Sequence, residues 1–478
     1  MSERPVGEVE LAEEAGRRFD EEALPTLVEY TRIPCLSPAF DAAWEDHGHL
    51  RAATRLMAEW AASRRLGGHN VEVHELPGRT PLIRCDVPPT PGAEAAGTVL
   101  LYGHLDKQPP MGTWRAGLGP YEPVIEGDRL YGRGTADDGY ALFAALLAIE
   151  AGVAAGGAHG RCVVLVEASE ESGSSDLPAH VEALGGQIGT PDLVICLDSG
   201  CATYDRLWVT SSLRGILMVK VEVEVLHEGV HSGSAGGVVP SSFRILRQLL
   251  SRIEDEASGE ILLPELVVGI PPGRLAEIEA VAAELGDEVA GIFPTVEALQ
   301  LSGGTPAERL ANRTWRPSLA VIGMDGIPPT SEAGNVLRPS TTAKLAIRLP
   351  PTCDSSTAME ALRDALTRDV PQGARVHVDL EAADGWDAPV TDGWLAGAID
   401  EASLAYFGRS ARATGEGGTI PFMGLLGRRF PDAQFLATGV LGPESNAHGP
   451  NEFLHLPTAR AITATVGHVL DAHARRRD

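Results

Sequence analysis

No apolar run in the chain approaches the roughly 20 residues that span a bilayer. The N-terminal stretch MSERPVGEVELAEEAG is polar and acidic and lacks the hydrophobic segment of a secretory signal. Neither membrane insertion nor export is expected, and the expected compartment is the cytoplasm. Positive charge is also scarce: 39 Lys and Arg stand against 66 Asp and Glu, a formal net charge of −27. That argues against nucleic acid or an anionic membrane surface as partner and is compatible with gathering cations. Cysteine is sparse. The six (35, 85, 162, 196, 201 and 353) show no CxxC spacing and read as reduced packing residues rather than a disulfide framework or a thiolate metal site. There is no internal repeat, and the one Ala/Gly-rich stretch, residues 151–160, reads as a helix end and turn.

What is present is a chain of 478 residues, 44% hydrophobic, with a mean hydropathy of −0.02. That is a soluble globular composition, long enough for two domains. Residues 9–31 carry apolar positions at helical spacing, with Pro34 soon after. Strand-like runs follow at 70–74, 98–103, 162–166 and 193–197, with a buried helix at 140–151. Strands alternating with helices point to an open α/β sheet with its site at the carboxyl ends of the strands. Near residue 207 the pattern changes to a long alternating stretch (207–226), helical periodicity at 241–255 and 274–285, and a further strand at 344–349. Residues 213–390 read as an inserted second domain between 1–212 and 391–478, which together form the first. The tail carries a helix at 394–407, a Gly-rich turn at 415–418, a strand at 434–440 and a terminal helix at 458–475.

Metal-ligand residue types sit where the hydrophobic runs end: His104 and Asp106, Asp137, Glu170 and Glu171, Asp198, and a late His448. Imidazoles and carboxylates in this number suit two neighbouring divalent ions, with a spare carboxylate to move protons. His104 and Asp106, two apart on extended backbone, can sit side by side as ligand and orienter. Glu170 and Glu171 are adjacent, so both can serve one site only from a turn, which the following Ser-Gly-Ser-Ser supports. Each residue alone has a commonplace reading, as a helix cap, a solvated charge or a loop histidine. Their joint placement at strand ends does not. His159, His180, His227 and His455 lack such support and are read as ordinary residues.

The blocks LYGHLDKQP, LYGRGTADDG, EASEESGS, VICLDSG, LRG, HSGSAGG, NRTWRPSLAVIG, AIRLPP, GEGGTIP and SNAHGPNE occur in this order over nearly the whole chain. They resemble the carnosinase/non-specific dipeptidase branch of the aminoacylase–glutamate carboxypeptidase-like di-metal metallopeptidases. The resemblance implies a two-domain α/β fold, with a mixed central sheet flanked by helices and an inserted α+β lid and dimerisation domain. It implies that Asp137 bridges two ions, with His104 and Asp198 completing one set and Glu171 and His448 the other. It further implies that Asp106 orients His104, that the Asp137–Asp138 peptide bond is cis, and that Glu170 is the general base for a metal-bridging water. In the inserted domain, His231 matches a lid histidine that reaches the partner subunit's site and stabilises the oxyanion, and Asn335 matches a small polar residue beside it. Arg348 matches an arginine that grips a substrate carboxylate, and Gly418 and Thr419 match a turn offering N–H groups to the same carboxylate.

Two departures from the family pattern bear on substrate rather than metal. Gly139-Tyr140 replaces the usual lysine after the paired aspartates, and residues 199–204 match poorly. The implied protein is a homodimeric, metal-dependent exopeptidase acting on small peptides, with two divalent ions per subunit, Zn2+ ahead of Mn2+. Its rivals are an N-acyl amino acid amidohydrolase using the same metals and a catalytically dead metal-binding protein. Glu170 speaks against the last, because a binder needs no free base.

Overall fold

The computed structural model describes residues 6–476. Two compact units divide the chain: residues 1–211, 388–414 and 422–478 form the first, and residues 212–387 with 415–421 form the second. The Gly-rich turn at 415–418 thus groups with the second unit although the sequence around it groups with the first.

The first unit is built on a six-stranded sheet in the order Asn70–His74, Leu82–Val87, Arg161–Glu167, Thr98–His104, Leu193–Cys196, Gln434–Ala437. Leu82–Val87 runs antiparallel to both its neighbours, and the remaining pairs are parallel. The central runs TVLLYGH, RCVVLVE and LVIC are almost wholly buried, as parallel strands covered on both faces must be. The helix Ala141–Ala154 is buried on nearly every side, and Leu456–Arg475 packs along it. The N-terminal helical stretch is continuous to Thr31 but passes through a π turn at Phe19–Ala23. Among the described residues no helix is long and apolar enough to cross a membrane.

The second unit holds a four-stranded antiparallel sheet in the order Ser318–Asp325, Ser340–Leu349, Gly215–Glu224, Arg375–Ala383. Leu217, Val219, Val221 and Val223 alternate with partly exposed residues and are buried with Ala343, Leu345, Ile347 and Leu349. They pack with the helices Ser242–Leu250 and Ser355–Thr367. The alternating stretch 207–226 resolves into two strands, Trp208–Leu213 and Gly215–Glu224, interrupted at Arg214. At Gly215 a Cβ would meet the Ala383 carbonyl and the Gly385 nitrogen, each at 2.8 Å, so only glycine lets the backbone come this close.

Candidate active site

The Thr98–His104 strand ends on His104, whose ring is buried and whose Nδ1 lies 3.1 Å from the Asp106 carbonyl. A carbonyl only accepts, so Nδ1 donates and Nε2 is the nitrogen left to face the carboxylates. Nε2 lies 3.3 Å from Asp137 Oδ1 and 3.8 Å from Asp198 Oδ1 and makes no hydrogen bond. The Asp106 carboxylate is 3.5 Å from Nδ1, and its closer contacts lie elsewhere. It accepts the backbone N–H of Glu170 at 3.1 Å and of Glu171 at 3.0 Å. Asp106 therefore steers His104 through its carbonyl and fixes the glutamate pair through its carboxylate. That pair occupies a 3-10 turn, Glu170–Ser172, just beyond the Arg161–Glu167 strand, as two adjacent residues serving one site require.

Asp137 lies in the loop before the Ala141–Ala154 helix, and its peptide bond to Asp138 is cis. Asp138 Oδ2 accepts the His104 N–H at 3.2 Å. Gly103 permits that approach, because a Cβ there would run into Ala141 and lie 2.7 Å from Asp138 Oδ2. His448 reaches in from the tail, its Nε2 3.1 Å from Asp137 Oδ2 and 3.3 Å from Glu171 Oε2. Two donor sets result, His104–Asp137–Asp198 and Asp137–Glu171–His448, with the ligand atoms of each within 4.8 Å of one another. Asp137 belongs to both, and Glu170 to neither.

The electrostatics match a site short of positive charge. Burial and the charge of Asp198 drive Glu170 and Asp138 well above the carboxylate range, and burial with Asp137 pushes Glu171 to about 8. Burial opposes the ionised form of Asp137, yet the His104 and His448 rings outweigh it and hold Asp137 low. At His448, whose ring stays partly exposed, the partial loss of water is outweighed by Asp137 and Glu171, which raise it to about 9. Buried carboxylates outnumbering their imidazole partners lack counter-charge. Glu171 Oε1 and His104 Nε2, both buried, also lack hydrogen-bond partners. Divalent cations supply both, and this nitrogen and oxygen donor set fits zinc or manganese.

In the second unit, Val230–His231 pairs with Val336–Leu337, and the Ser232 N–H donates to the Asn335 carbonyl at 2.9 Å, which sets Asn335 beside His231. His231 is exposed, and its Nδ1 accepts the Gly233 N–H at 3.1 Å. Arg348, near the end of the Ser340–Leu349 strand, donates from Nη1 to Thr419 Oγ1 at 3.0 Å, and that hydroxyl donates to the Arg214 carbonyl at 2.5 Å. Thr419 thus holds Arg348 through its side chain. Gly418 is exposed, with open space where a Cβ would stand.

Several other residues inside the quoted blocks are buried charges. Arg214 is buried and donates to the carbonyls of Gly417, Asn312 and Arg316 at 3.2–3.3 Å. Burial and the charges of Arg348 and Arg313 lower its pKa to about 10. Lys107 is fully buried, its Nζ donating to the carbonyls of Tyr30, Thr31 and Ile33 at the end of the Leu24–Thr31 helix. Glu452 and Arg133 form a buried ion pair at 2.6 Å. Nothing in residue type distinguishes these from surface charges; only their burial does. The departures also find structural reasons. A side chain at Gly139 would strike the Tyr30 ring and the Gly134 carbonyl. In the 199–204 segment, the Cys201 N–H donates to the Leu441 carbonyl at 3.0 Å and the Tyr204 hydroxyl to the Pro443 carbonyl at 3.0 Å. That segment braces the stretch leading to His448.

Two carboxylate–imidazole sets that share one aspartate, gathered at the strand ends of a mixed sheet and the loops beside them, define an α/β metallohydrolase of the two-domain kind. A model of the peptidase family M20/M25/M40 matches residues 100–472, and the chain belongs to this family. It is 27% identical to the cysteinylglycine-S-conjugate dipeptidase of Corynebacterium striatum over 77% of this chain and 80% of that protein. Its identity to the Cys-Gly metallodipeptidase of Schizosaccharomyces pombe is 26%, over 68% of this chain and 69% of the relative. The fold matches the dipeptidase Dug1p of Saccharomyces cerevisiae with a TM-score of 0.80, 22% identity and 99% of each chain covered. It matches human carnosine dipeptidase 1 with a TM-score of 0.79, 22% identity, and 99% and 100% covered.

Proposed function

We propose that the protein is a two-metal exopeptidase that hydrolyses dipeptides or short peptides. The observation that carries this reading is Glu170: it shares a turn with Glu171 yet lies outside both donor sets. His104, Asp137 and Asp198 would hold one divalent ion, and Asp137, Glu171 and His448 the other, with zinc favoured over manganese by the imidazole donors. Bound there, the ions supply Lewis acidity to the scissile carbonyl and to water. Glu170 takes one proton from the attacking water as its oxygen bonds to the carbonyl carbon. The same carboxyl returns that proton to the departing amine nitrogen as the C–N bond breaks, leaving a carboxylic acid and an amine, and the acid's remaining proton passes on to the amine to give a carboxylate and an ammonium. A ligating carboxylate would be a poor base, so the division of labour between the two glutamates is chemically required.

Arg348, steadied by Thr419, would pair with the C-terminal carboxylate, and the Gly418–Thr419 turn would add N–H donors. His231, with Asn335 beside it, would reach the partner subunit's site and stabilise the oxyanion, which makes a homodimer through the inserted domain the working form. The family pattern and the exposure of His231 support this. The described cysteines, all free and buried, fit the reducing cytoplasm. Relatives named as Cys-Gly and β-Ala-His dipeptidases favour dipeptides over N-acyl amino acids. The test is a screen of metal-loaded protein against free dipeptides and N-acetyl amino acids. Hydrolysis of dipeptides is the expected result, and turnover of the N-acetyl compounds alone would replace this reading with the amidohydrolase.

A further inference from the structure

His448 stands in a loop with no regular structure to hold it. His448, Asn446 and Asn451 all adopt left-handed backbone (φ 64°, 54° and 62°), and the His448 ring is 56% exposed. Asp137 also sits in a loop. The two belong to one donor set, so something must fix the distance between loops that are far apart in sequence. The Arg133–Glu452 pair is placed to do so. Glu452 is fully buried, and its Oε1 accepts the N–H groups of Gly134, Ala136 and Asp137 at 3.0, 3.2 and 3.3 Å. One carboxylate oxygen thus gathers the backbone that leads into Asp137. Its Oε2 accepts from Arg133 Nη1 at 2.6 Å, and Arg133 Nη2 donates to the carbonyl of Gly449, next to His448, at 2.7 Å. The Gly132 N–H closes the ring on the Glu452 carbonyl at 3.0 Å.

We propose that Glu452 and Arg133 are positioning residues forming a buried clamp that sets the spacing of Asp137 and His448 and thereby the metal affinity of the donor set they share. The inference rests on the two-metal reading above and adds a residue pair that lies outside both donor sets. A carboxylate satisfied by three amides and a guanidinium is rigid in a way a solvated pair is not. The planar guanidinium fork is the part that spans both loops. A lysine would keep the positive charge beside Glu452 but could not reproduce the fork's two fixed directions.

The experiment measures zinc binding to metal-free protein by competition with a chromophoric chelator, for wild type, His448→Ala, Arg133→Lys and Glu452→Gln. Melting of the metal-free forms is followed alongside. Wild type should bind two ions, and His448→Ala should lose the tighter hold on one. Arg133→Lys and Glu452→Gln should weaken that same binding step about 10- to 100-fold, the usual cost of removing a group that orients a ligand. Substrate KM should stay near wild type while kcat at limiting zinc falls. A merely structural pair would instead lower metal-free melting and leave both zinc constants unchanged. Zinc constants within twofold of wild type in a folded variant overturn the clamp, as does an Arg133→Lys protein that cannot fold. Failure of the wild type to bind two ions would count against the proposed function instead.

Discussion

Glu170 and Glu171 are chemically identical neighbours, and the Asp106 carboxylate holds the backbone of both. In the proposed mechanism their roles divide because only Glu171 faces Asp137 and His448. Glu170→Gln should therefore keep near-normal metal content and lose turnover by about 10²- to 10⁴-fold, the typical worth of a general base. Asp137→Ala should lose metal as well, because both sets use that residue. Metal analysis and initial rates check this, and a Glu170→Gln protein retaining a tenth of wild-type activity would remove Glu170 from its role. Glu167, just before the pair, titrates on its own account. It is buried and accepts from the hydroxyls of Tyr102 and Ser174 at 2.6 and 2.8 Å, and burial raises it from 4.5 to about 7. A folded-state pKa above the unfolded one means the folded state favours the proton. The resulting stability is full below about pH 4.5 and lost as pH rises through 7. In chelator-treated protein, wild type should lose stability on the order of 3 kcal/mol relative to Glu167→Gln between pH 5 and 8. Parallel denaturation curves across that range would show Glu167 ionised throughout.

At the scale of elements, the proposed chemistry falls on strand ends and turns. The Ser340–Leu349 strand carries Arg348, and the turn after Gly415 brings Thr419 to it, a pairing between segments remote in sequence. Arg348→Met should raise KM and lower kcat/KM for free dipeptides by the worth of a charge-assisted pair, roughly 1.5–3 kcal/mol. Wild type should cleave a dipeptide faster than its C-terminal amide, and Arg348→Met should narrow that gap. Equal rates on both compounds with wild type would exclude carboxylate recognition. The strand ends at His104 and near Glu170 and Asp198 were legible because buried runs of apolar residues stop there. The break at Arg214 was not. The strict alternation, VKVEVEV at 219–225, lies beyond it, and only the crowding of Gly215 against Ala383 and Gly385 marks the division.

At the scale of the whole molecule, the placement of His231 in the second unit leads to a complementation test. In a mixed dimer of His231→Ala and Glu170→Gln, a histidine acting in trans leaves one site with both defects and the other with neither. A random mixture should then recover about a quarter of wild-type sites, by symmetry. Tagged pull-down must first demonstrate exchange of subunits, and exchange without recovered activity would confine His231 to its own subunit or to no role.

The sequence by itself determined the α/β class, the residue types at the strand ends and the order of the family's blocks, because burial periodicity and ligand chemistry are local properties. The tertiary structure decided that Asp137 sits in both donor sets, that the Asp106 carboxylate holds a turn while its carbonyl faces the His104 ring, and that Thr419 braces Arg348. It alone set Glu452 and Arg133 between two ligand loops. Those outcomes depend on loop closure between segments remote in sequence, and a buried charge is spelled with the same letter as a solvated one. Where each charge ends up is fixed only when the folded chain removes water from around it and supplies its partners.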